Sequence, residues 1–180
     1  MSNPNRIVVR TMCALLCSAA LTLSCLGGAC FAEPAPPFDL GPDEPAFAAG
    51  GNVAHITQTG SSQSGVIDQT GSRNTALVLQ AGGTNMASIL QAGTQNAARL
   101  TQTGLANGAT FAQHGNGNNA SVIQAGQTNR GSIVQDGSAN TAAIQQRGTG
   151  NTALVAQSGS HNAIAVLQTG NGGSAIVVQH

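Results

Sequence analysis

Bulky aromatic side chains are almost missing from this sequence: 2% of its 180 residues are aromatic, and neither tryptophan nor tyrosine occurs. A globular core anchored on large rings is thereby excluded. Charge is equally scarce, at 7% of residues with six basic against six acidic groups and a formal net charge of zero. Without high net charge the chain does not fit the composition that keeps segments disordered, and without a basic face it does not fit nucleic-acid binding. Cysteine is confined to Cys13, Cys17, Cys25 and Cys30, so the chain beyond residue 32 can form neither a disulfide framework nor a cysteine metal site. What the sequence does contain is glycine, 24 residues of it, set in a strict repetition.

Residues 1–32 have the pattern of a secretory signal. Arg6 and Arg10 make a basic start, an apolar run extends from Met12 to Leu26, and Cys30-Phe31-Ala32 supplies small residues for cleavage after Ala32. The apolar run is shorter than the roughly 20 residues of a membrane span. Residues 33–51 are rich in proline and acid, with Pro34, Pro36, Pro37, Pro42 and Pro45 too closely spaced for a helix or a paired strand. They are expected to form a flexible leader.

From residue 52 to the end, glutamine recurs at one fixed interval without a slip: Gln58, Gln69, Gln80, Gln91, Gln102, Gln113, Gln124, Gln135, Gln146, Gln157, Gln168 and Gln179. Two residues after each but the last stands a glycine: Gly60, Gly71, Gly82, Gly93, Gly104, Gly115, Gly126, Gly137, Gly148, Gly159 and Gly170. Asparagine opens nearly every unit, at Asn52, Asn74, Asn85, Asn96, Asn107, Asn118, Asn129, Asn140, Asn151 and Asn162, with Gln63 and Gly173 in the two remaining slots. The unit is N-x-A-x-h-x-Q-x-G-x-x, with h always apolar, from Ile56 and Ile67 to Val166 and Val177.

The fixed positions alternate, which is the two-residue period of a strand with one specified face. A helical supercoil of 11-residue period is rejected, because a glycine in every unit costs a helix about 1 kcal/mol each. Twelve strands are expected, roughly 52–58, 63–69 and onward to 173–179, with x-G-x-x as the turn. Two strands per 22-residue coil predict an all-β solenoid of six coils, in which alternate strands stack and Asn, Ala, the apolar residue and Gln face inward as ladders. Stacked identical amides satisfy one another at the strand spacing, which makes a buried glutamine or asparagine tolerable. Both end coils are expected to present open edges.

No catalytic constellation, cofactor site or small-molecule substrate site can be assembled from this pattern. His55 is placed on an outward strand position, His114 and His161 in turns, and His180 at the end of the chain. Asp68 and Asp136, the acids of the repeat region, are far apart in repeat number. The glycines are 11 apart and open strands, unlike a phosphate-binding loop. Arg73 and Arg147 are placed in turns and Arg99 and Arg130 on opposite sheets, as solubilising groups.

The repeat Q-x-G-x-x-N-x-A-x-h-x-Q, as in Gln80-Ala81-Gly82-Gly83-Thr84-Asn85-Met86-Ala87-Ser88-Ile89-Leu90-Gln91, resembles that of the curlin family over residues 52–180. The resemblance implies a subunit of a curli-type functional amyloid, secreted unfolded through a dedicated outer-membrane pore and polymerised with itself at the bacterial cell surface. It also implies a nucleator subunit as partner, and roles in biofilm matrix, adhesion and surface colonisation. The terminal coil lacks a basic cluster, which favours the major subunit. The alternatives are the minor nucleating subunit, or a monomeric ligand-binding or ice-binding solenoid.

Overall fold

A computed structural model describes residues 6–12, 21–26 and 51–180. Everything regular in it is strand. The repeat region contributes β3 Val53–Ser61, β4 Ser64–Ser72, β5 Thr75–Gly83, β6 Met86–Thr94, β7 Ala97–Leu105, β8 Gly108–Asn116, β9 Asn119–Gln127, β10 Arg130–Ser138, β11 Thr141–Thr149, β12 Thr152–Ser160, β13 Ala163–Asn171 and β14 Ser174–Gln179. Two shorter strands precede them, β1 Arg6–Met12 and β2 Leu21–Leu26. The expected leader, apart from Gly51, and more than half of the expected export signal lie outside the described residues.

The strands form two seven-stranded sheets, ordered β1-β4-β6-β8-β10-β12-β14 and β13-β11-β9-β7-β5-β3-β2. Each repeat strand pairs in parallel with the strand next but one along the chain, so that Gln80 lies beside Gln102 and Gly82 beside Gly104. The chain therefore winds as six two-strand coils, as the glutamine period predicts. Burial alternates along every inner strand, and the enclosed columns are Asn, Ala, the apolar residue and Gln, with Val78, Leu100 and Val122 at 0% exposure. The repeat region carries its own core: among the described residues, every buried apolar side chain but Val9 lies beyond residue 51.

The turn differs from expectation. Strands run nine residues, past the glutamine and through the glycine, and the arc shrinks to the residue just before asparagine and the asparagine itself. Two backbone features account for this. First, the repeat glycine has φ from 92° to 123°, and a Cβ on Gly104 would lie 2.0 Å from the carbonyl oxygen of Gly126 one level on. Glycine is thus required by the closeness of the neighbouring coil as much as by its own φ. Second, the residue before each asparagine slot is left-handed throughout, from Gly51 at 62° and Ser62 at 54° to Gly172 at 68°. Eight of these twelve are not glycine, and Thr84 and Thr128 are β-branched, the class for which a positive φ is most strained. Even the arcs are stacked: Thr84 N–H donates to Ser61 O at 3.0 Å, and Met86 N–H to Asn107 O at 2.8 Å.

The two ends of the stack are unlike. At the C-terminal end β13 and β14 each pair on one side only, and inward residues that are fully buried elsewhere become half-buried here, among them Asn162, Ile164, Gln168 and Val177. At the N-terminal end the expected open edge is occupied. β1 lies antiparallel on β4 and β2 antiparallel on β3, with Val9 extending the apolar column beside Ile67. Arg6 Nε donates to Asp68 Oδ1 at 3.0 Å, and this bond raises the already high pKa of the guanidinium.

Two backbone substitutions test this geometry. Gly104→Ala should lower the stability of the repeat region by more than about 3 kcal/mol, because the clash is with backbone. Thr128→Gly should raise it by about 1 kcal/mol through relief of the left-handed threonine. Urea unfolding midpoints of the two variants should move in opposite directions.

Candidate functional site: the stacked amides and their two ends

The glutamine column is a directed chain of hydrogen bonds. Gln80 Nε2 donates to Gln102 Oε1 at 2.8 Å, Gln102 Nε2 to Gln124 Oε1 at 2.8 Å, and Gln124 Nε2 to Gln146 Oε1 at 2.8 Å. The other sheet repeats this from Gln69 to Gln91, Gln113, Gln135 and Gln157. The second N–H of each amide crosses to the facing strand, as in Gln102 Nε2 to Met86 O at 3.0 Å. Each inner glutamine thus ties its own level to the next and one sheet to the other, which is why a fully buried amide is stable here.

Asparagine does the same work at the arc. Asn96 Nδ2 donates to Gly115 O at 2.9 Å and to Ala92 O at 3.2 Å, while its Oδ1 accepts the backbone N–H of Asn118 at 3.1 Å. The repeat glycine is therefore both the residue that lets coils approach and the acceptor for the asparagine amide, so the two repeated positions are one device. Ala76, Ala98 and Ala120, each at most 3% exposed, keep the facing sheet close enough for these bonds.

Every donor in the glutamine column points toward the C-terminal end, so the ends are left with opposite chemistry. Gln58 Oε1 and Gln69 Oε1, at the N-terminal end, are buried acceptors without a partner, and so is Gln63 Oε1 in the same coil. The strands β1 and β2 pair with backbone groups there, and these three oxygens stay unmet. At the C-terminal end Gln168 Nε2 donates to Thr152 O at 3.0 Å and has no further glutamine to reach. The column in the β4 sheet stops one step early, since Gln179 Oε1 also lacks a partner. These terminal amides, with the half-buried columns of β13 and β14, are the places where the molecule is incomplete.

The side chains that could do chemistry are elsewhere. His55 is on the outer face, 3.0 Å from Thr57 Oγ1, and His161 occupies a left-handed arc position. His114, expected in a turn, instead lies within β8, because the strands run on past glutamine; Arg147 lies within β11 for the same reason. On the outer face of the β4 sheet His114 neighbours Asp136, which neighbours Ser158, and Ser158 Oγ is 2.7 Å from His180 Nδ1. This column escaped sequence reasoning, and its 22-residue spacing was the available signal. It is not a nucleophilic triad, since no histidine stands between the serine and the carboxylate: Asp136 lies between His114 and Ser158, and His180 lies on the far side of Ser158. Among the described residues no group of three or more His, Cys, Asp or Glu side chains could hold a metal ion. An open groove of about 410 Å³ over Gly108, between Met86 and Leu154, has Arg130 as its one charged lining residue.

Replacement of Gln80 with leucine should strand Gln58 Nε2 and Gln102 Oε1 together, at about 1 to 3 kcal/mol for each buried group left unmet. Outward Ser88→Ala and Thr110→Ala should each shift stability by less than about 0.5 kcal/mol. Equal losses from the inward and outward changes in denaturant titration would contradict the amide-column account.

The chain matches the Curlin associated repeat family over residues 64–93, 93–126, 126–159, 137–170 and 148–180. No curated protein matches it, and no solved structure does. The matched segments run without a gap from residue 64 to residue 180 and take in strands of both sheets, including the exposed last coil. With its repeats, register and buried amide columns, this chain belongs to the curlin repeat family.

Proposed function

We propose that this protein is a structural subunit of an extracellular curli-type amyloid fibre and acts by joining its coils end to end with other copies of itself. The observation that carries the reading is the uncovered C-terminal coil. Soluble proteins protect such an edge with charge, proline or a cap, whereas Gly173 to Gln179 contains neither charge nor proline, and Ile176 and Val178 are 70% and 57% exposed. Identical ladders continuing from chain to chain are the means by which cross-β assemblies gain stability.

On this reading residues 1–32 direct export and are removed, residues 33–51 lead the mature chain to an outer-membrane pore, and residues 52–180 form the fibre repeat. Removal of residues 1–32 takes β1 and β2 with it and frees the first coil. The fibre contributes to biofilm matrix, adhesion and surface colonisation, with a separate nucleating subunit to start it. Residues 162–180 contain no arginine or lysine, which favours the major subunit. The protein's work is mechanical and adhesive, with no reaction catalysed.

Residues 33–180 diluted from denaturant should form fibres after a lag that added seeds shorten, with a diffraction reflection near about 4.8 Å along the fibre. Thioflavin fluorescence and fibre diffraction read the outcome. A chain that stays a folded, soluble monomer at high concentration would exclude the fibre role and favour a ligand-binding solenoid.

A further inference from the structure

The two outer faces differ in charge. Both acids of the repeat region, Asp68 and Asp136, lie on the β4 sheet, while the strands of the β3 sheet carry arginine alone, at Arg99 and Arg147. The β4 face also holds Arg130, at the far end of the same strand from Asp136. Six residues of strand separate these two by about 20 Å, so they cannot pair with each other. Among the described residues Asp68 has its ion pair with Arg6, and neither Arg130 nor Asp136 has an ionic partner.

Each strand of this face presents four outward positions, which in β10 are Arg130, Ser132, Val134 and Asp136. The third position forms an apolar column of Leu90, Ala112, Val134, Ala156 and Val178, and Leu90, Val134 and Val178 are 41% to 57% exposed. The first position has a gap, because Gly108 between Met86 and Arg130 floors the open groove, and a Cβ there would meet nothing within 4 Å. A second copy turned by half a turn about the stacking direction sets first positions opposite fourth and second opposite third. With β10 facing β10, Arg130 of each copy then lies opposite Asp136 of the other, and His114 lies opposite the gap at Gly108. A shift by one level would set Arg130 against His114 or Ser158 instead. A half turn about the strand direction would never bring Arg130 opposite Asp136. Asp68 comes opposite Val66 and is the one acid without a counterpart, so the first level contributes least.

We infer that the outer face of the β4 sheet binds the same face of a second copy in a parallel stack, with two Arg130–Asp136 ion pairs flanking the apolar column and His114 seated over Gly108. The β3 sheet has no such option, since its two arginines meet no acid. The face measures about 29 Å along six levels by about 20 Å along a strand, which buries about 1,200 Å² over both copies. That is the lower limit of a stable interface, so two isolated monomers are held weakly. Along a fibre the same contact repeats at every molecule and the contributions reinforce one another. The inference therefore rests on the reading of the chain as a fibre subunit, and it assigns the β4 face to pairing of two fibres and leaves the β3 face outward.

Mass per length of fibres grown from residues 33–180, measured by scanning transmission electron microscopy, reads the pairing directly. Wild-type fibres should contain two chains per six levels, about 29 Å. Arg130→Asp and Asp136→Arg should each lower the paired fraction at least about tenfold, because like charges then face each other. The double variant R130D/D136R, which keeps the net charge and exchanges the two sites, should restore pairing. Gly108→Leu, which the stack itself has room for, should also lower pairing by closing the seat of His114, and Arg147→Asp on the β3 sheet should leave it unchanged. Seeded thioflavin kinetics should stay within about threefold of wild type in all of these, because outward changes leave the columns intact. Wild-type fibres with one chain per six levels, or a double variant that stays unpaired while it still elongates seeds, would overturn the paired face and leave the subunit reading standing. Absence of wild-type fibres would remove both.

Discussion

A buried amide is costly unless its polar atoms have partners, and in this molecule those partners come from stacking: glutamine donates to the glutamine one coil on, and the asparagine oxygen accepts the backbone N–H of the asparagine one coil on. That condition fixes most of the structure. It requires neighbouring strands to be parallel and in register, because a slip of one residue would set glutamine against an outward side chain. It requires the coils to approach at the strand spacing around the arcs as well as along the strands, which leaves no room for a Cβ at the repeat glycine. It also sets a constant period, since an inserted residue would interrupt every column at once. The apolar column of Val, Ile, Leu and Phe keeps the interior dry, but the amides decide which residues stack upon which.

Much of this could be read in the sequence because an inward amide column imposes identity as well as polarity. The glutamine period predicts the number of coils, the two sheets and the inward faces, and the parallel pairing of Gln80 with Gln102 follows it. The extent of the turn was not legible. The left-handed residue before asparagine is occupied by Ser, Arg, Thr, Gln, Ala, His or Gly, since the side chain there points away from the stack and only its backbone is specified. A constraint that acts on φ alone leaves little trace in composition. The same holds for glycine, which reads as a turn residue in the sequence but lies within the strand, held there by the carbonyl one level on.

The ends were legible in part. Nothing in the charge or proline content of the last strand opposes continuation, and its inward columns are half-buried. The opposite end was not legible, because β1 and β2 lie in a segment whose basic and apolar pattern speaks of export, and pairing with β4 and β3 draws on backbone groups that no side-chain pattern announces. The cap they provide is incomplete in a specific way: it meets the backbone of the first coil and leaves the side-chain oxygens of Gln58 and Gln69 unmet. Covering an edge and continuing a column are distinct, and the amide oxygens record the difference.

The two sheets share one inward pattern and differ outside, and this has a consequence for how such a chain can change length. Loss or gain of a pair of repeats removes or adds a whole coil and leaves each later strand in its own sheet. Loss or gain of a single repeat would keep every inward column intact, because both sheets read Asn, Ala, apolar, Gln, yet it would transfer all later strands to the opposite face. His114, Asp136 and Ser158 would then leave the β4 sheet together. The interior is indifferent to such an exchange while the surface is inverted by it, so only a change by whole coils leaves both outer faces as they are.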